Sequence, residues 1–137
     1  METKIKVMIY GEDTECLQAV ETLRAFPILL KSTNEYLCVN SRETIQKQLA
    51  EWNPNLIIVL ANRSEGMEGV YLAKEIRPEV PVFWFSDDEG FGMQSHRLEC
   101  DYFAVKPFNP EKLRKAFQRC THIGIRIAGV QLPADHE

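Results

Sequence analysis

Apolar β-branched runs alternate along the chain with stretches whose apolar positions recur at helical spacing. KIKVMIY, Lys4 to Tyr10, predicts a strand. TECLQAVETLRAF follows, with Cys16, Leu17, Val20, Leu23 and Phe26 forming an apolar stripe and Thr14 or Asp13 as the cap. EYLCVN, Glu35 to Asn40, predicts a weaker strand. SRETIQKQLAEWN predicts a helix capped at Ser41 with Ile45, Leu49 and Trp52 on one face. NLIIVLA, Asn55 to Ala61, is the most apolar segment, continuous rather than alternating, as in a strand covered on both faces. A helix is predicted over Glu68 to Arg77 and a strand over Val80 to Ser86, with Pro81 near its start. GFGMQSHRLEC is a poor helix with two glycines, and DYFAVK is a short strand. PEKLRKAFQRC predicts a helix with Pro110 at its first position and Leu113 and Phe117 turned inward.

This order, five strands each followed by a helix, requires right-handed crossovers and a parallel sheet with helices on both faces. The expected fold is a flavodoxin-like three-layer α/β sandwich. Ligands in such folds sit beyond the carboxyl ends of the strands. That rule selects the loops at 11–13, 61–66, 86–88 and 106–108. One domain is expected over residues 1–121, with 122–137 as an extension. In the extension Ile123, Ile125 and Ile127 alternate with Gly124, Arg126 and Ala128, which reads as a sixth, peripheral strand or the start of a linker ahead of a tail.

The 137 residues, 45% hydrophobic and 26% charged, suffice for one domain with a real core. A net charge of -4 argues against a broad nucleic-acid footprint. No apolar run is long enough to span a membrane, and the N-terminus lacks a signal-peptide layout, so a cytoplasmic setting is expected. Cys16, Cys38, Cys100 and Cys120 are scattered without a CxxC pair and read as reduced, mostly buried thiols. His96, His122 and His136 have no metal or catalytic spacing.

Four motifs in order resemble the response-regulator receiver domain, from about Lys4 to Cys120. VMIYGED stands where that family has an apolar run ending in an acidic pair. GMEG stands for Gly-Met-Asp-Gly, PVFWFS ends in Ser86 at the switch Ser/Thr, and DYFAVKPF carries Lys106-Pro107-Phe108 with Phe103 at the aromatic switch position. The resemblance implies a CheY-like sheet of strand order 2-1-3-4-5. It also implies a site in which two acids and an aspartate hold magnesium, the aspartate takes a phosphoryl group, and Lys and Ser/Thr contact it.

The chain departs from that pattern where the chemistry lies. Counting back from Gly69 puts the phosphoacceptor position at Ala61; counting forward from Pro54 puts it at Leu60. Neither accepts a phosphoryl group. Gly11 replaces the first acid, Glu12 lengthens the second, and Asp13 follows. Asp87, next to Ser86, would repel a phosphodonor. Lys106 is expected in a structural ion pair with Glu12 or Asp13, which Asp87 could join, in preference to a residual anion site. Phe103 is expected to be fixed packing. Phe103, Pro107 and Arg114 are the switch and interface candidates, and Lys112, Arg114, Lys115 and Arg119 read as a solvated basic face or one meeting an acidic partner.

The expected function is a degenerate pseudo-receiver of two-component type, acting in signal transduction through a protein partner or self-association on the face of the fourth helix, fifth strand and fifth helix. No enzymatic activity, catalytic residue, metal, cofactor, membrane or direct nucleic-acid role is expected. Two alternatives stand beside it. HRLECDYFAVKPFNPEKLRKAF is similar to the receiver portion of LytTR-type transcriptional regulators. A small-ligand-binding flavodoxin-like domain is the other, although YGEDTE is no phosphate-cradling loop.

Overall fold

The apolar runs assemble as five parallel strands: β1 (Lys4–Tyr10), β2 (Thr33–Val39), β3 (Leu56–Val59), β4 (Val82–Ser86) and β5 (Tyr102–Val105). Their order is β2-β1-β3-β4-β5, as expected. The connections are helices α1 (Asp13–Arg24), α2 (Arg42–Glu51), α3 (Arg63–Ile76) and α4 (Gly92–Arg97), and α5 (Pro110–His122) closes the domain. The computed structural model describes residues 4–26 and 33–122. The alternating strand or linker expected from Ile123, and the tail after it, lie outside the described residues.

Strand alternation divides the core into two layers. Ile5, Val7, Ile9, Ile58, Phe83 and Phe85 pack against Leu23 of α1 and Leu113 and Phe117 of α5. Met8, Ile57, Val59 and Trp84 pack against Ile45 and Leu49 of α2 and Val70 and Ala73 of α3. Fully burying one such side chain contributes about 1.5–3 kcal/mol, so the central strands, buried on both faces, set the fold.

Polar groups tie the helix ends to this core. Ser41 caps α2, its Oγ accepting from the Thr44 amide at 3.2 Å. At the other end Arg77 donates to the Leu49 and Ala50 carbonyls, at 2.7 and 2.9 Å, which α2 itself leaves without partners. Asp101 accepts from Lys74 at 2.8 Å and from the Val82 amide at 2.7 Å, fixing α3 to the start of β4.

The structure corrects the sequence reading in several places. Helix α1 starts at Asp13 with Glu12 as an N-cap that makes no side-chain bond, so neither Asp13 nor Thr14 is the cap. Asp13 instead accepts from Asn40 Nδ2 at 2.9 Å. Leu17 is 66% exposed. Cys16, Ala19, Val20 and Leu23 already complete the inward stripe of α1, and Leu17 falls beside it. Helix α3 begins at Arg63, well before Glu68. Its first turns carry polar residues and two glycines, which have no helical apolar signal.

Those glycines are packing residues. A Cβ on Gly66 would lie 2.1 Å from the Ala61 carbonyl oxygen and 2.4 Å from Trp84 Nε1; one on Gly69 would lie 2.6 Å from the Tyr10 ring. Ala normally gains about 1 kcal/mol over Gly inside a helix. At Gly66 the sign reverses: Gly66→Ala is expected to destabilise the fold by about 1–3 kcal/mol, the usual effect of overpacking. Urea denaturation reads this as a lower midpoint at unchanged slope, and an unchanged or higher midpoint would contradict the packing role.

Candidate functional site

The loops after β1, β3, β4 and β5 meet at the carboxyl edge of the sheet. A cleft of about 800 Å³ opens there, lined in part by Gly11, Glu12, Asp13, Glu15, Ala61 and Arg63. Burial, followed by the nearby carboxylates Glu65, Glu68 and Glu43, raises Tyr10 at its edge above the ordinary phenol value.

The backbone closes tightly behind the two phosphoacceptor candidates. The Tyr10 carbonyl accepts from the amides of both Leu60 and Ala61, at 2.7 and 3.1 Å. Leu60 and Ala61 are both buried, and they join opposite core layers. A Cβ on Gly11 would lie 3.0 Å from Leu60 Cβ, closer than ordinary van der Waals contact, so a side chain at the first acidic position would press on Leu60. The Ala61 carbonyl accepts from Trp84 Nε1 at 3.0 Å, within the core. Trp84 and Phe85 do face opposite layers, and Trp84 is also a hydrogen-bond donor to the β3 end.

Ser86, fully buried, is held by main-chain amides. Its Oγ accepts from Arg63 and Asp88, each at 3.3 Å. Asn62 Oδ1 accepts from the Asp87 amide at 3.0 Å, and Arg63 Nε lies 3.4 Å from Asp87 Oδ1. Together these contacts latch the β3–α3 loop to the β4–α4 loop. Arg63 takes a φ of 51°. Such a left-handed conformation costs a non-glycine residue about 1–2 kcal/mol, and the latch holds it there.

Lys106 pairs with Glu15, 2.6 Å from Oε2, with the two side chains only 16% and 33% exposed. The expected partners Glu12 and Asp13 are thereby corrected. Glu15 is the residue whose place in the first turn of α1 projects it toward the end of β5. Asp87 pairs with Arg63 and does not join the Lys106 network. Pro107 follows Lys106 through a cis peptide bond.

Phe103 is half-buried and packs edge-on against Trp84 at 5.2 Å, beside Phe91, which lies 5.9 Å from the same indole. Phe108 packs on Phe85 at 4.9 Å. On α5, Lys112 donates to the Val105 carbonyl, Lys115 lies 3.6 Å from Glu111, and Arg114 lines an apolar groove with Phe26 and Pro110. Lys115 and Arg119 remain exposed on this helix. Among the described residues no group of three or more His, Cys, Asp or Glu side chains is placed to hold a metal ion, and no helix is long and apolar enough to cross a membrane.

Solved structures share this architecture. One is a CheY-like response regulator receiver domain protein from Methanospirillum hungatei JF-1, with a TM-score of 0.63 at 18% identity over 86% of this chain and 98% of that one. The fold is that of response-regulator receiver domains. A candidate CpaE2 pilus assembly protein from Sinorhizobium meliloti 1021 is similar at a TM-score of 0.66 and 17% identity, over 85% of this chain and 99% of that one. In sequence, the chain is 28% identical over 99 residues to the sensory transduction protein LytT of Oceanobacillus iheyensis, a match over 66% of this chain. It spans 40% of that relative's length. No family model matches the chain.

Within the receiver fold, Asn62, Arg63 and Glu15 are the site residues that motif reading missed. The bonds of Ser86 run to backbone amides, which carry no side-chain signature. Ser86→Ala is expected to leave those amides without their side-chain acceptor and to lower stability by about 1–2 kcal/mol. Hydrogen exchange should show faster exchange at the Arg63 and Asp88 amides. Unchanged protection there would mean that the serine does not hold the loops.

Proposed function

We propose that the chain is a pseudo-receiver: a signalling module of receiver type that works without aspartyl phosphorylation, by binding a protein partner. The observation carrying this reading is that the phosphoacceptor and the first acid are absent and the lysine is engaged, with Glu12 left as the one acid of the pair. The acceptor position is aliphatic, whether Leu60 or Ala61 fills it. The first metal-ligand position is Gly11, packed against Leu60. Lys106 is held by Glu15 and Ser86 by two amides. A phosphoryl group would meet no nucleophile and no free cation, and Glu12, Asp13 and Asp87 would oppose it electrostatically.

Partner binding through α4, β5 and α5 is supported by the exposed Met93 on α4 and by the half-buried Phe103 beside it. The output is then set by the partner's concentration and affinity, with no covalent step on this chain. A second reading is favoured by the similarity to LytT: the module is the receiver portion of a longer regulator of transcription, whose other part contacts nucleic acid.

An amide-shift titration with beryllofluoride and magnesium, run beside acetyl phosphate with intact-mass detection, tests the proposal. The expected result is no mass gain and no saturable shift at Glu12, Ala61, Ser86 or Lys106. Saturable shifts at those residues that spread to Phe103 would overturn it.

A further inference from the structure

Two of the cysteines are neighbours across the edge of the sheet. Cys16 lies buried on α1, its thiol donating to the Ile9 carbonyl at 3.7 Å. Ile9 on β1 is in register with Cys38 on β2. Residues in register on adjacent strands project to the same face. Ile9 belongs to the layer that packs on α1, so Cys38 lies on that face too. Because β2 is an edge strand, the Cys38 side chain remains exposed. The Cys16 thiol at the Ile9 carbonyl and the Cys38 side chain beside Ile9 therefore meet between α1 and β2. We propose that Cys16 and Cys38 are a peroxide-responsive pair that closes to a disulfide tethering α1 to β2.

Their environments divide the roles. Burial first, and then its neighbour Cys38, push the Cys16 thiol up to about 12. Cys38 is also raised, by partial burial first, but the Cys16 contact lowers it. Asp13 raises both thiols, and Glu15 faces Cys16 from the same helix. Cys38 is therefore the thiol that both reaches solvent and ionises first; Cys16 stays protonated beside it. Cys100 and Cys120 lie apart from this pair, each raised to about 12 by burial, with the Cys100 thiol donating to Val82 and Tyr102 carbonyls at 3.3 and 3.2 Å.

The oxidant is a hydroperoxide. Cys38 thiolate attacks one peroxide oxygen, forming an S–O bond as the O–O bond breaks; the sulfur is oxidised to a sulfenic acid and the leaving oxygen departs, protonated, as water or an alcohol. The Cys16 sulfur then attacks the Cys38 sulfur. The S–S bond forms, the S–O bond breaks, and hydroxide leaves with the Cys16 proton as a second molecule, water. Reaction with hydrogen peroxide thus consumes two thiols and one peroxide and yields one disulfide and two waters. Glu15 immediately precedes Cys16 on α1, lines the cleft and holds Lys106, so the tether forms next to the cleft rim.

The test uses the reduced, full-length chain treated with hydrogen peroxide, followed by non-reducing peptide mapping. The expected product is a monomer in which the peptides of Cys16 and Cys38 are joined, reversible by dithiothreitol, and formed faster as pH rises toward the Cys38 value. In Cys16→Ser, Cys38 should stop at a sulfenic acid that dimedone traps. In Cys38→Ser, Cys16 should remain unmodified. The proposal is overturned by a Cys38 cross-link between two copies, by earlier oxidation of Cys100 or Cys120, by a Cys38 sulfenic acid that persists in the unsubstituted chain, or by no reaction under conditions that oxidise free glutathione. The unsubstituted chain alone decides each of these, whatever the folding of the variants.

Discussion

The backbone leaving β3 is buried, and its polar groups must find partners within the protein. This requirement organises the carboxyl edge of the sheet. The Ala61 carbonyl sits in the core layer, where an unpaired acceptor costs about 1–3 kcal/mol. Trp84 supplies the donor from the next strand, and Gly66 leaves room for the indole. Once Trp84 is fixed there, Phe91 and Phe103 stack around it, which positions α4 and β5. The loops beyond follow the same rule: amides of Arg63, Asp87 and Asp88 are satisfied by Ser86 and Asn62. A receiver-fold site thus becomes a set of mutual structural bonds.

Much of the architecture was legible in the residues. The uninterrupted Leu56–Val59 run, buried on both faces, could only be a central strand of a parallel sheet, and the alternation of elements then restricted the topology. The start of α3 was not legible, because Ser64, Glu65, Gly66 and Glu68 present no apolar stripe, and Gly66 is selected by its closeness to Trp84 rather than by helix propensity. The pairing of Lys106 with some nearby acid could be foreseen from charge alone. Which acid could not, since Glu12, Asp13 and Glu15 differ in reach only after α1 is known to begin at Asp13. The nearness of Cys16 and Cys38 depends on the register between β1 and β2, which no local pattern specifies.

Acidic side chains dominate the charge around the cleft. Glu12, Asp13, Glu15 and Glu65 line it, and the cations beside it are already paired, Arg63 with Asp87 and Lys106 with Glu15. Of these pairs, Lys106–Glu15 is the sheltered one. Lys4–Glu35 and Arg42–Glu68 stay well exposed, where solvent screens the attraction. Removing Lys106 from Glu15 to serve another anion would leave a half-buried carboxylate beside an acidic cleft. The lysine is therefore an anchor between α1 and the end of β5.

An argument from energetics follows for how such a module can transmit a signal. Two conformations interconvert only to the extent that a ligand binds them differently. On the proposed reading, a phosphoryl trigger would have to draw Lys106 from Glu15, and the aliphatic Leu60 and Ala61 would offer it no acceptor. On that reading, this source would supply no differential affinity. A protein laid across α4 and β5 meets a different situation. As proposed, it would meet the exposed Met93 and the rim of Phe103, which packs on Trp84, the donor to the Ala61 carbonyl. On that proposal the loop latch and the Trp84 cluster would act as a rigid support, so that a partner would meet a surface already formed and would not bear the cost of ordering it.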